Sequence, residues 1–266
     1  MRGEGVLKKT STKTNQSVEK VFQIIEVMAS NKGPIKLQEV SQKLGLPAST
    51  VLRFLKTMML SGYVNQDPET QKYSLSMKFC HIGYLVSCQI SIRNVIRPYL
   101  VELADRCQES ACLAIDQDMM VVYVDVVDGP DNMLKTMQRI GKRAPLHSTG
   151  VGKALLIDYS NHEIEHMIKE RGLTPLTPHT ITTKEDLIAE LEKIRKKGYA
   201  IDDEECEIGA RCVAAPIWDY TGRVVAGISV SGPVSRMNIE KIEYVQTIIK
   251  EIASKASQKL GYKVEA

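Results

Sequence analysis

Leu46-Pro-Ala-Ser-Thr-Val-Leu-Arg-Phe-Leu-Lys-Thr-Met-Met-Leu-Ser-Gly62 is the stretch on which the fold turns. Val51, Leu52, Leu55, Met58 and Met59 recur at the spacing that gathers apolar side chains on one side of a helix. Ser49, Thr50, Arg53 and Lys56 are left on the other side. Pro47 suits a first helical turn, where its missing N–H is no loss. Gly62 closes the segment. Just upstream, Leu37, Val40 and Leu44 predict a short helix that Gly45 ends, since glycine adopts the positive φ of a helix C-terminus. Further upstream, Val18, Val21, Phe22, Ile24, Ile25 and Met28 predict a broad-faced helix over 18–29, stopped by Asn31, Gly33 and Pro34. Downstream, Tyr63-Val-Asn65 and Lys72-Tyr-Ser-Leu75 flank the turn signal Asp67-Pro-Glu-Thr70 and predict a hairpin. Helix, helix, tight turn, helix and hairpin in about sixty residues is the winged helix-turn-helix pattern.

That pattern suits DNA. Short polar side chains and an arginine near the start of the third helix can reach base edges and phosphates in the major groove. Ser49, Thr50, Arg53 and Lys56, with Lys72 on the hairpin, are the candidate DNA contacts. The competing reading is a three-helix module for protein partners. Charge favours DNA: residues 1–80 carry 12 Lys and Arg against 6 Asp and Glu, whereas the remainder carries 23 against 26. A basic small half beside a mildly acidic larger half points to a polyanion partner for the first half.

The rest of the 266-residue chain reads as a second region. The layout expected is an unpatterned arm over 1–16, the winged helix over 17–76, a linker helix over 77–95 and a sensing and oligomerisation domain over 96–266. A helix is expected to start at Pro98. Strands are expected at 111–115, 119–127, 212–217 and 224–231, with helices at 151–159, 163–170, 184–197 and 239–260. This mixture is an α+β domain with a largely antiparallel sheet. The longest apolar run, Met119–Val124, is far below the ~20 residues of a membrane-spanning helix. The N-terminus has no apolar secretory core, so a cytoplasmic protein is expected. The six cysteines include no Cys-x-x-Cys pair and read as reduced thiols.

Three motifs invite catalytic readings. His162-Glu-Ile-Glu-His166 matches the zinc-hydrolase pattern, with two histidines on one helical face and Glu163 as base. Ile164, Met167 and Ile168 form the apolar face there, so 162, 163 and 166 are expected on the solvated side. Gly150-Val-Gly-Lys-Ala154 resembles a phosphate loop, but His147 stands where that pattern needs glycine and Ala154 follows the lysine, so nucleotide hydrolysis is excluded. Ser148-Thr-Gly150 instead precedes a helix, and free N–H groups at such a start favour an anion such as a carboxylate. Asp202-Asp-Glu-Glu205 reads as a solvated acidic run, and Cys212 as a buried thiol opening an apolar strand. No enzyme activity, cofactor or metal is expected.

Five segments in order resemble the IclR family of bacterial transcription regulators: Leu46–Leu55, Pro145-Leu-His-Ser-Thr-Gly-Val-Gly-Lys-Ala-Leu-Leu156, Ile194-Arg-Lys-Lys-Gly-Tyr-Ala-Ile-Asp-Asp-Glu-Glu205, Gly209-Ala-Arg-Cys-Val-Ala-Ala-Pro-Ile217 and Ile228-Ser-Val-Ser-Gly-Pro233. The resemblance covers about 18–260. It implies a GAF-like effector domain, a homodimer or tetramer, and control of a catabolic operon, with a small organic acid as effector and operator DNA as partner. It carries the effector-binding role to Gly150, Val151, Asp202, Cys212, Ser229 and Ser231. Backbone N–H groups at 150–151 and hydroxyls at 229 and 231 can donate charge-assisted bonds to a carboxylate. Val151 departs from the smaller residue usual there. Some relatives hold a metal nearby, for which His147, Asp202 and Cys212 are the eligible ligands, but none is assigned here.

Overall fold

The computed structural model describes residues 15–132 and 139–263; most of the expected arm lies outside the described residues. The chain divides into two compact units, Met1–Gln89 and Ile90–Ala266.

In the first unit, α1 (Gln16–Ala29) starts where the Asn15 side chain accepts from Ser17 N at 3.0 Å. α2 (Leu37–Leu44) stops at Gly45, whose φ is +63°. α3 (Ala48–Leu60) begins one residue after Pro47, which occupies the cap rather than the first turn. β1 (Val64–Gln66) and β2 (Tyr73–Leu75) pair antiparallel, with Val64 opposite Leu75. Their turn is fixed by Asp67, whose carboxylate accepts from the N–H groups of Glu69 and Thr70 at 2.9 and 2.7 Å. Ile24, Val40, Val51, Leu55, Met58, Val64 and Tyr73 form one core; α1 buries a narrower side than its periodicity marked, with Ile24 and Met28 buried but Val18 and Phe22 exposed. α4 (Lys78–Gln89) packs its first turn on the connection between α3 and β1: the Lys78 ammonium lies 4.2 Å from the centre of the Tyr63 ring and donates to Ser61 O at 2.9 Å.

The second unit opens with α5 (Ile92–Cys107), which runs unbroken through Pro98. The helix expected to start at Pro98 therefore starts six residues earlier. The linker helix expected over 77–95 breaks at 90–91, where Ser91 stands as the cap of α5. Six strands follow: β3 (Ser110–Asp116), β4 (Met120–Val127), β5 (Arg143–Pro145), β6 (Ala200–Asp203), β7 (Ala210–Trp218) and β8 (Val224–Pro233). They form one sheet in the order β5-β4-β3-β8-β7-β6, and every pair is antiparallel.

Both faces of this sheet are covered. Ala111, Leu113, Val213, Ala215, Ile228 and Val230 pack with α5 and with α9 (Ile239–Lys259). Their strand neighbours Cys112, Ala114, Cys212 and Ala214 pack with α6 (Gly150–Leu156), α7 (Asn161–Arg171) and α8 (Lys184–Lys197). The two-residue alternation of a strand sorts the side chains between the layers. Burial on both faces explains why β7 and β8 read as continuous apolar runs. A fully buried carboxylate, Asp125 on β4, ties α5 to the sheet: Arg97 donates to both its oxygens at 2.7 and 2.8 Å, and Arg93 lies 3.2 Å away.

Candidate DNA-binding and effector sites

α3 presents Ser49, Arg53 and Lys56 to solvent, and Thr50 is half-buried beside them. Among the described residues neither Arg53 nor Lys56 has a carboxylate within ion-pair distance, so both charges are free for phosphate or base edges. Lys72, at the foot of β2, is half-buried.

In the second unit the strand order brings residues distant in sequence together. Cys112 lies opposite Ser229 across β3 and β8, and Cys212 opposite Ser231 across β7 and β8. The Cys112 thiol and the Ser229 hydroxyl are 2.8 Å apart. α6 lies over this patch. A Cβ on Gly150 would sit 3.2 Å from Cys212 Sγ, so any other residue would press on that thiol unless it gives by a few tenths of an ångström. Gly227 makes the matching room beneath Val151, where a Cβ would fall 2.7 Å from Val151 Cγ2. The branched Val151 is thus accommodated by a missing side chain on β8.

A cavity of about 790 Å³ opens at this end of the sheet. Val151, Asp202, Cys212 and Ser231 line it, together with Tyr123, the basic residues Lys142, Arg143 and Arg211, and the loop Cys206–Gly209. Gly150 and Ser229 sit behind the wall rather than on it. The volume falls in the ~300–1,000 Å³ range of small-molecule sites. Sequence reading missed Lys142, Arg143 and the loop. Their only signal was a pair of basic residues before a three-residue strand.

The acidic run that read as solvated is half buried. Asp202 and Glu205 are buried and Asp203 is exposed. One oxygen of Asp202 accepts from the N–H groups of Glu205 and Cys206 at 2.8 and 3.2 Å. Burial pushes the Asp202 carboxyl up to about 7 despite those bonds. Burial also pushes the Cys212 thiol up to about 12 and Cys206 to about 11. These thiols are neutral donors near pH 7, not nucleophiles. Of the cavity cations, Arg143 pairs with Asp118 at 3.2 Å and Arg211 with Asp203 at 2.6 Å. Lys142 has no such partner among the described residues.

The Asp202 carboxyl gives a signed expectation. Its proton is held in the native state to about pH 7 but lost in the unfolded chain near ~4. Stability therefore falls as pH rises from about 4 to about 7, and this contribution is flat above. Melting curves of Asp202→Asn against wild type should show that decline reduced in the variant. Parallel pH profiles would contradict the assignment.

The tempting motifs resolve differently. Glu163 is engaged in a capping box, where its carboxylate accepts from Ser160 N at 2.7 Å, and His162 and His166 are exposed on α7. His147 is buried, with Nε2 3.1 Å from the Thr174 carbonyl, and desolvation lowers its pKa. No group of three His, Cys, Asp or Glu among the described residues is placed to hold a metal. α6 spans seven residues, and the Thr149 hydroxyl already accepts its Gly152 N–H at 3.1 Å.

A winged helix-turn-helix beside a two-face-covered sheet with a polar cavity defines a DNA-binding regulator with a sensing domain. Residues 17–68 match the IclR helix-turn-helix domain, and residues 84–258 match the C-terminal domain of the bacterial transcriptional regulator IclR. The chain is 34% identical over 247 residues to the transcriptional regulator XynR of Escherichia coli, covering 93% of this chain and 98% of that one. It is 37% identical over 248 residues to KdgR of Dickeya chrysanthemi, covering 92% and 80% respectively. The crystal structure of the Agobacterium tumefaciens repressor BlcR superposes with a TM-score of 0.74 at 25% identity, covering 93% and 98%. The chain belongs to the IclR family of transcriptional regulators, which bind DNA and are not enzymes. No described helix is long and apolar enough to cross a membrane.

Proposed function

We propose that this protein is a repressor of a catabolic operon that reads a palindromic operator as a homodimer or tetramer and is switched by a small organic acid. Residues 17–76 act as the DNA-binding domain, 77–95 as linker and 96–266 as effector domain. Ser49, Thr50, Arg53, Lys56 and Lys72 serve as DNA contacts. The sign of regulation leans on relatives such as BlcR, whose name is that of a repressor.

The observation that carries the effector reading is the composition of the cavity. It holds a carboxyl raised to about 7, neutral thiols, a serine hydroxyl and Lys142, which has no ion-pair partner among the described residues. Such a wall donates hydrogen bonds and sets the Lys142 ammonium at the cavity, with Glu207 also in the lining, which suits an acid bearing further polar groups. Val151, Asp202, Cys212 and Ser231 line the cavity, and Gly150 and Ser229 back that wall as the supporting part of the effector site. An acid that binds one arrangement of the effector domain better shifts the population toward it and thereby changes operator affinity.

A panel of small hydroxy and keto acids tests this by thermal shift. A true effector at a hundredfold excess over its Kd stabilises the native state by ~2.7 kcal/mol. That is a rise of roughly 5–10 °C for a domain of this size. The rise should vanish in Ser231→Ala combined with Asp202→Asn. A panel in which no acid raises the melting point overturns the effector reading and leaves the DNA-binding one intact.

A further inference from the structure

Lys153, on α6, has no exposed surface at all. A lysine so placed is rare unless paired. Its ammonium contacts Oε1 of Glu205 and lies 3.9 Å from Oε1 of Glu190 on α8. Glu205 is itself buried, and its second oxygen finds no hydrogen-bond partner among the described residues. Sequence reading used Lys153 only to test a phosphate loop, and the proposed function makes no use of it.

The pair joins the two walls of the cavity. Lys153 stands on the helix whose start supplies Thr149 and Val151 to the lining, and Glu205 opens the loop that supplies Cys206–Gly209. The same Glu205 N–H donates to Asp202, and its carbonyl accepts from the Thr180 hydroxyl at 2.7 Å. The loop closes on itself where Gly209 N donates to Glu204 Oε2 at 2.7 Å. Cavity carboxyl, loop backbone, buried ion pair and helix thus form one chain of contacts.

An apolar pair of equal volume is expected to fill this space at little cost in stability, since desolvating two charges offsets most of their attraction. What the ion pair adds is position. We propose that the Lys153–Glu205 pair is a strut that holds loop 204–209 at a fixed spacing from α6, making both residues positioning residues for effector binding. This rests on reading the cavity as the effector site. The test below uses no effector, so the two can fail separately.

The experiment is hydrogen–deuterium exchange on the full chain, comparing wild type, Lys153→Met, Glu205→Gln and the double variant Lys153→Met/Glu205→Met. The single Lys153→Met strands a buried carboxylate and is expected to lose much of its stability. The double variant removes both charges and should melt within a few degrees of wild type. At matched stability, the amides of 204–209 in the double variant should exchange at least tenfold faster, with α9 unchanged. Glu205→Gln keeps a hydrogen-bond acceptor but removes the counter-charge, leaving Glu190 3.9 Å from the ammonium, so its 204–209 amides should exchange at rates between wild type and the double variant. Wild-type protection of 204–209 in the double variant overturns the strut. So does acceleration spread equally over α9, which would make the pair a general stability element.

Discussion

Leu55→Ala is expected to destabilise the N-terminal unit by about 2–5 kcal/mol and to abolish DNA binding at 37 °C, while the second unit keeps its own melting transition. Leu55 is fully buried on the inner face of α3, in a core shared with α1, α2 and the hairpin. Truncation removes apolar contact from all of them and leaves a cavity that so small a unit cannot collapse around. Domains of this size bury a smaller fraction of their surface than larger ones and stand only a few kcal/mol above unfolding. The loss is therefore comparable with the unit's whole stability. The cores of the second unit share no residue with this one, so a melting profile should split into an early and an unchanged transition. Leu60→Ala on the same helix is the control. Leu60 is 92% exposed, and its removal should shift stability by no more than ~0.5 kcal/mol. Equal effects of the two substitutions would contradict the assignment of α3's faces.

Arg53→Ala is expected to weaken operator binding by ~1–3 kcal/mol, or roughly 5- to 150-fold, and to relax base preference at one position of each half-site. Arg53 lies on the exposed face of α3, with no carboxylate within ion-pair distance among the described residues. A guanidinium there can bond two acceptors on one guanine edge, and that geometry rather than the charge supplies discrimination. Lys56→Ala should behave differently. It should weaken all sequences alike and lower the slope of log affinity against log salt by about 1. Fluorescence anisotropy with operator and scrambled duplexes at three salt concentrations separates the two. Unchanged operator affinity in Arg53→Ala would remove Arg53 from the interface.

The first unit was almost wholly legible because each of its elements carries a clean signal. Apolar spacing marked α1 to α3, Gly45 marked the end of α2, and Asp67-Pro68 marked the hairpin turn. The second unit was legible only where strands or helices are long. β5 and β6, of three and four residues, are too short to show alternation. β6 also ends in Asp202-Asp203, which reads as surface until the fold buries one of the two. α5 passes through Pro98, whose backbone effect is local and does not stop a helix held on both sides by Ile96 and Leu100. The candidate effector site came from family resemblance rather than periodicity, because its strand residues meet only through the order β8-β7-β6 and its other two lie on α6. The strut was invisible for a related reason. Lysine and glutamate mean exposure in any sequence reading, and only the three-dimensional structure shows Lys153 and Glu205 enclosed together.

The most direct test of the central claim is binding of the protein to the DNA upstream of its own gene at two salt concentrations, with and without a panel of small organic acids. The account predicts a specific complex whose affinity falls as salt rises, and which one acid in the panel weakens or strengthens while the others leave it unchanged. A specific complex indifferent to every acid would contradict the sensing domain. The absence of any specific complex under all conditions would contradict the regulator itself.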